Sequence, residues 1–192
     1  MELFGIFFAA FLINNILLIR FIALCSFFGV STKIDTSIGM SFAVVFVMTI
    51  SSAISWIIYH FVLTPFHLEF LRTATFILTI ASLVQLEELY LKKVIPNLYR
   101  AMGIYLPLIT TNCAILAVAF LAIDYKFNFM QSMVYSLGVS AGYSLAIILF
   151  AYIRDRMVLA KIPKWFQGYP IAFITAALMS LAFLGFTGLF GL

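Results

Sequence analysis

The stretch LPLITTNCAILAV, Leu106 to Val118, decides how this chain folds. It lies inside an apolar run long enough to cross a membrane, yet it holds a proline, two threonines, an asparagine and one of the chain's two cysteines. Polar groups left unpaired in hydrocarbon are expensive, so a plain helix is not expected here. Pro107 removes a backbone donor and obstructs the turn before it, and Thr110, Thr111 and Asn112 can bond the carbonyls this frees. A break near Cys113 follows. Taken alone, the segment also fits a proline kink in a packed helix, with the threonines bonded to their own i−4 carbonyls.

Composition supplies the setting. Of 192 residues 65% are hydrophobic and only 9% charged, with 22 phenylalanines, and the mean hydropathy is +1.18. A soluble domain carries about a quarter charged residues, so this is an all-α membrane protein. The net charge of +4 does not point to nucleic acid, because the basic residues cluster at helix ends. A span takes about 20 apolar residues, and six segments qualify: 3–22, 38–63, 70–91, 101–123, 130–153 and 171–192. The opening residues MELFGIFFAAF show no basic n-region and no small-residue cleavage site, so they read as the first helix and not as a signal peptide.

Orientation follows from the positive charge. Eight basic residues (Lys33, Lys92, Lys93, Arg100, Arg154, Arg156, Lys161, Lys164) follow helices one, three and five, against Arg72 and Lys126 on the other side. Those loops are therefore expected in the cytoplasm and both termini outside. Three helices per half make the second half, 96–192, an inverted repeat of the first, 1–95. Each half has one cysteine, Cys25 and Cys113, in its first segment. The first segment is also awkward as a helix: its apolar stretch runs to Val30 and is interrupted by Asn14, Asn15 and Arg20. Helices one and four are thus both expected to break near the membrane midplane, where interrupted helices line cavities or grip ions and cofactors.

A free cysteine is often only a small buried hydrophobe, and a disulfide is disfavoured within a bilayer. Two thiolates brought to a pseudo-twofold axis would instead make half of a [2Fe-2S] site, which takes four soft ligands, or two with histidines. The two histidines, His60 and His67, fall near the outer end of helix two and are poor candidates to complete it. The remaining two ligands must come from a second polypeptide.

The segments NNILLIRFIALCSFFGVSTKIDTSIGM, GIYLPLITTNCAIL, FNFMQSMVYSLG and ITAALMSLAFLGFTGL resemble the membrane subunits of Rnf electron transport complexes, the A-type in particular. They are more distantly similar to the E-type subunits of the sodium-pumping NADH:quinone oxidoreductase. The resemblance covers the whole chain. It implies a six-helix inner-membrane protein of a bacterium or archaeon, paired with a homologue, the E-type Rnf subunit, around an intramembrane [2Fe-2S] cluster. It gives Cys25 and Cys113 the ligand role. It further implies a complex that moves electrons between reduced ferredoxin and NAD through flavins and iron-sulfur centres, coupled to Na⁺ or H⁺ translocation. Two positions depart from the pattern: Ser26 stands where many relatives have proline, and Ala117 where many have glycine.

Other residues divide into two readings each. Arg20, near the cytoplasmic end of helix one, either stabilises an anionic cluster or snorkels to the headgroups. Asn112 and Thr111 satisfy broken backbone and are candidates for hydrogen bonds to cluster sulfurs. Glu87 and Glu88 lie at membrane depth, but Glu88 and Lys92 are spaced as a helical ion pair. Asp35, Asp124 and Asp155 read as solvated loop residues. Gly138 and Gly142, with Ser136, Ser140 and Ser144, form a small-residue stripe for close helix packing. No catalytic triad, P-loop or dinucleotide fingerprint is present, so flavin and nicotinamide binding belong to other chains. The alternative function is a small inverted-repeat transporter whose cysteines are incidental.

Overall fold

The computed structural model describes residues 2–65, 69–94, 112–158 and 163–186, and these are helical with no β-strand. In chain order the helices are α1 (Glu2–Phe8), α2 (Leu24–Val30), α3 (Ile34–Ile58), α4 (Arg72–Val94), α5 (Cys113–Asp124), α6 (Phe129–Val158) and α7 (Tyr169–Leu184). Both α1 and α3 run on into a widened π-type turn, Ala9–Ile13 and Tyr59–Leu63. With that extension α3 reaches 30 residues, as does α6, and these two are long and apolar enough to cross a membrane. The other apolar helices are shorter: Leu3–Ile13, Arg72–Leu86, Cys113–Asp124 and Tyr169–Leu184.

The first apolar segment is interrupted, and its own sequence causes this. The π-type turn closes with the Asn14 amide donating to Ala9 O at 2.7 Å. The chain then leaves the helix until Leu24, passing Phe21 (φ 55°) and Ala23 (φ 71°) in left-handed conformations that cost non-glycine residues energy. Asn15, fully buried, replaces the lost helical bonds. Its Oδ1 accepts from the Leu17 and Leu18 amides at 3.1 and 3.3 Å, and its Nδ2 donates to Gly142 O at 2.9 Å. Ser180 of α7 donates to Leu18 O at 2.7 Å. Interrupted backbone inside an apolar fold is thus paid for by side chains from separate parts of the chain.

Small residues let the interrupted segment approach α6 closely. A Cβ on Gly138 would stand 2.8 Å from Phe7 O, and one on Gly142 would stand 2.7 Å from Phe11 O. The glycine pair therefore packs α1 and its π-type extension within this chain. Along α3 and α6 serines do the same work: Ser52 and Ser132 are bonded at 3.1 Å, while Ser136 and Ser140 turn back onto their own helix. The outward faces are the opposite. Phe42, Phe46, Phe61, Leu78, Leu86, Leu178 and Leu181 are exposed, the pattern of a bundle whose surroundings are apolar.

Several loop readings need correction. Asp35 stands in the first turn of α3 and Asp155 within α6, because both helices run further than the apolar residues alone; Asp124 ends α5 and is bonded to Arg72 at 2.8 Å. Arg154, read as a loop charge, is also on α6. Its Nη1 donates to Phe28 O at 3.0 Å and to Ser31 Oγ at 2.9 Å, a cation placed on the carbonyl end of α2.

Candidate functional site

The two cysteines are both exposed and neither is in a disulfide. Cys25 is the second residue of α2, and Cys113 is the first residue of α5. What precedes each differs. Ahead of α2, Ala23 occupies the cap position with no side-chain hydrogen bond, in left-handed geometry. Ahead of α5, Asn112 caps the helix: its Oδ1 accepts from the Ala114 amide at 3.0 Å, the usual task of asparagine at this position. Asn112 is 3% exposed, and its Nδ2 is buried with no hydrogen-bond partner. The expected break at Pro107, Thr110 and Thr111 lies outside the described residues, as does His67.

Tyr143 ties α6 to the segment that carries Cys25. Fully buried in α6, it donates its hydroxyl hydrogen to Ser26 Oγ at 2.8 Å, and Ser26 in turn donates to Ala23 O at 2.9 Å. One phenol on α6 thus holds the residue that follows Cys25. Rings complete the seating of α2: Phe27 stacks on Phe150 with centroids 4.2 Å apart, and Phe28 packs on Phe173 of α7 at the same separation. Nothing in the sequence marked Tyr143. An aromatic residue in an apolar helix has the look of core filling, and its partner is 117 residues away.

Arg20 is placed by a distant partner. Its Nη2 donates to the Tyr125 hydroxyl at 2.8 Å, and Tyr125 caps the C-terminal end of α5, whereas Cys113 begins that helix. Arg20 thus faces the end of the bundle that carries Asp124 and Lys126, at the far end of α5 from Cys113. The reason is the interruption after Ile13: once the chain leaves the helix, position along the sequence no longer measures depth.

That same end holds a cavity of about 480 Å³ lined by Trp56, His60, Arg72, Asp124, Lys126 and Asn128, among others. Neither cysteine lines it. His60 stacks on Trp56 at 5.1 Å, so histidine ligation at the cysteines gains no support. Among the described residues no three of the Cys, His, Asp and Glu side chains cluster as a metal site. The chain's own groups suit a metal group: two exposed thiols outside any disulfide, and a buried amide donor without a partner next to Cys113. Glu88 is half-buried on α4, with Lys92 one turn further along.

Residues 3–190 match the family model described as Rnf-Nqr subunit, membrane protein. The chain is 53% identical over 178 residues to the A-type subunit of the ion-translocating oxidoreductase complex of Aeromonas salmonicida, covering 93% of this chain and 92% of that one. It is 52% identical over 188 residues to the protein of the same name from Photorhabdus laumondii, covering 98% and 97%. These matches agree with the resemblance carried by the cysteine segments. With a family model spanning almost its whole length and relatives above half identity, the chain belongs to the Rnf-Nqr family of membrane subunits.

Proposed function

We propose that this chain is the A-type membrane subunit of a bacterial ion-translocating oxidoreductase complex, and that Cys25 and Cys113 hold a [2Fe-2S] cluster together with two cysteines of a homologous, E-type partner. The carrying observation is that both thiols are exposed at the start of a helix and outside any disulfide, with a buried, unpartnered amide donor beside Cys113. The names of the relatives support the complex. When bound, such a cluster supplies a one-electron carrier inside the membrane. The chain's own part is to present two thiolates, to offer the Asn112 amide to a sulfur, and to keep water away with the apolar packing of Phe27, Phe28 and Phe150.

In this reading the chain crosses the inner membrane six times as two inverted halves, 1–95 and 96–192, with both termini outside. In the same reading the segments that lead into Cys25 and Cys113 correspond, and electron transfer at the cysteines biases the halves between inward and outward access for Na⁺ or H⁺. Flavins, other iron-sulfur centres and the nicotinamide site belong to further members of the complex.

The experiment is spectroscopic. The complex purified from membranes is reduced and its EPR spectrum recorded beside those of Cys25→Ser and Cys113→Ser. Loss of one [2Fe-2S] signal in each variant, with the complex still assembled, is the expected result. A full set of signals in both variants refutes the ligand assignment.

A further inference from the structure

We infer that the cavity between the extended end of α3, the start of α4 and the loop from α5 to α6 is a site for an anionic glycerophospholipid, its phosphate held by Arg72 and Lys126 and its acyl chains lying over the exposed rings of Phe61 and Phe70. This site lies apart from the cysteines and does not depend on a cluster there: the cavity adjoins Asp124, which ends α5, whereas Cys113 begins that helix.

Charge selects an anion. Of the side chains lining the cavity, Arg72 and Lys126 are cationic, and Asp124 is the one carboxylate among the described residues. Asp124 is already engaged, bonded to Arg72 Nη1 at 2.8 Å, and among the described residues no ion pair reaches Lys126. The guanidinium rests over the Phe120 ring at 4.7 Å, and the carboxylate takes one of its five N–H donors. A third cation, Arg20, is bonded to Tyr125 in the same loop. His60 and Asn128 add further hydrogen-bonding side chains to the lining. A phosphate, which accepts several charged donors at once, matches this surplus.

Specific bonds fix the walls. Trp56 Nε1 donates to Phe127 O at 3.0 Å, tying α3 to the loop, and Trp56 meets Phe129 edge-on at 5.4 Å. Lys126 is left-handed at φ 53°, held by its amide on Ile123 O at 2.8 Å and by that of Phe127 on Ala122 O at 3.2 Å. Strained backbone of this kind gathers at binding sites. At about 480 Å³ the cavity falls in the range of sites for organic molecules, roughly 300–1,000 Å³, and exceeds what a bare ion requires.

The surface beside the cavity makes the occupant a lipid. Phe61 follows His60, Phe70 stands two residues before Arg72, Met130 stands two after Asn128, and all three are exposed. Each wall therefore passes from polar lining to exposed apolar surface within two residues. Trp56 and Tyr59 also line the cavity, and such aromatic residues gather at headgroup depth. A molecule with a charged phosphate and hydrocarbon chains bridges the two surfaces.

The test uses the intact complex in detergent, illuminated with a phosphatidylglycerol that carries a diazirine in its acyl chain near the glycerol, the attachment points being mapped by mass spectrometry. Label is expected on this chain within 56–64 and 123–130. Unlabelled phosphatidylglycerol should displace it, whereas diacylglycerol, which lacks the phosphate, and inorganic phosphate, which lacks the chains, should not. Lys126→Gln should lower this label about fivefold, the worth of one basic residue on an anionic lipid, and Lys126→Arg should retain it. Lys126 is exposed, so neither substitution endangers the fold. Label around Leu178 and Leu181, on the outward face, should be the same in all three proteins. Equal labelling of the cavity in wild type and Lys126→Gln overturns the site. So does label confined to outward faces, displacement by diacylglycerol as strong as by phosphatidylglycerol, or cross-linking of 56–64 to another polypeptide of the complex in place of lipid. Inorganic phosphate displacing the label as well as the lipid does would make this a free-phosphate site and overturn the lipid. The cysteine variants, with or without their EPR signals, bear on none of these outcomes.

Discussion

Asn15 Nδ2 donates to Gly142 O at 2.9 Å, across 127 residues of sequence, at the point where the first apolar segment stops being helical. The same carboxamide serves the Leu17 and Leu18 amides. One buried polar side chain therefore closes a helix interruption and docks it on α6.

Asn15→Leu keeps the branched shape and removes every one of these bonds, leaving the Leu17 and Leu18 amides unpaired in an apolar interior. A loss of about 3 kcal/mol in stability is expected, since buried unsatisfied groups bear their full desolvation cost. Thermal unfolding of the detergent-solubilised protein checks this. A melting temperature within a degree or so of wild type would show that the interruption is held by other contacts.

Gly142→Ala should destabilise by about 1–3 kcal/mol, because the new methyl meets backbone, Phe11 O at 2.7 Å, which cannot swing aside. Gly5→Ala in α1 is the matched control. Nothing stands within 4 Å of its added carbon, and alanine is the better helix former, so it should be neutral or slightly stabilising. Equal effects from the two would mean that the close contact is not what selects glycine at 142.

Asn112→Asp separates capping from donation. Aspartate retains an oxygen for the Ala114 amide but replaces the buried Nδ2 with a negative charge. If Cys113 ligates a cluster, its midpoint potential should fall by at least about 60 mV, the one-electron equivalent of about 1.4 kcal/mol. Redox titration followed by EPR measures the change. An unmoved potential would leave Asn112 a cap and nothing more.

Arg154→Met cuts the donors to Phe28 O and Ser31 Oγ while keeping an apolar stem along Phe150. The C-terminal end of α2 should loosen by about 1–3 kcal/mol, the range for lost bonds to a charged donor. Hydrogen exchange should rise across 24–31 and stay unchanged in α5; uniform protection in both would argue that the rings at Phe27 and Phe28 suffice.

Much was readable from residue order alone. Membrane character came from composition, because a chain with so few charges has nothing with which to face water. The interruption of the first segment came from Asn14, Asn15 and Arg20, since polar side chains in an apolar run are tolerated only where backbone needs them. The cysteine segments carried the family, and the comparisons agree. What stayed hidden depends on partners far apart in the chain. Tyr143 and Arg154 are ordinary residues of a long helix until Ser26 and Phe28 are brought against them. The bond from Arg20 to Tyr125 was not legible, because residue count measures position only along an unbroken helix. Gly138 and Gly142 announced close packing but not its partner, and only tertiary contact shows that α1 and its extension fill it. Local chemistry thus settles which groups need satisfying, and three-dimensional packing settles who satisfies them, because hydrogen bonds and van der Waals contacts act over a few ångströms of space and take no account of distance along the chain.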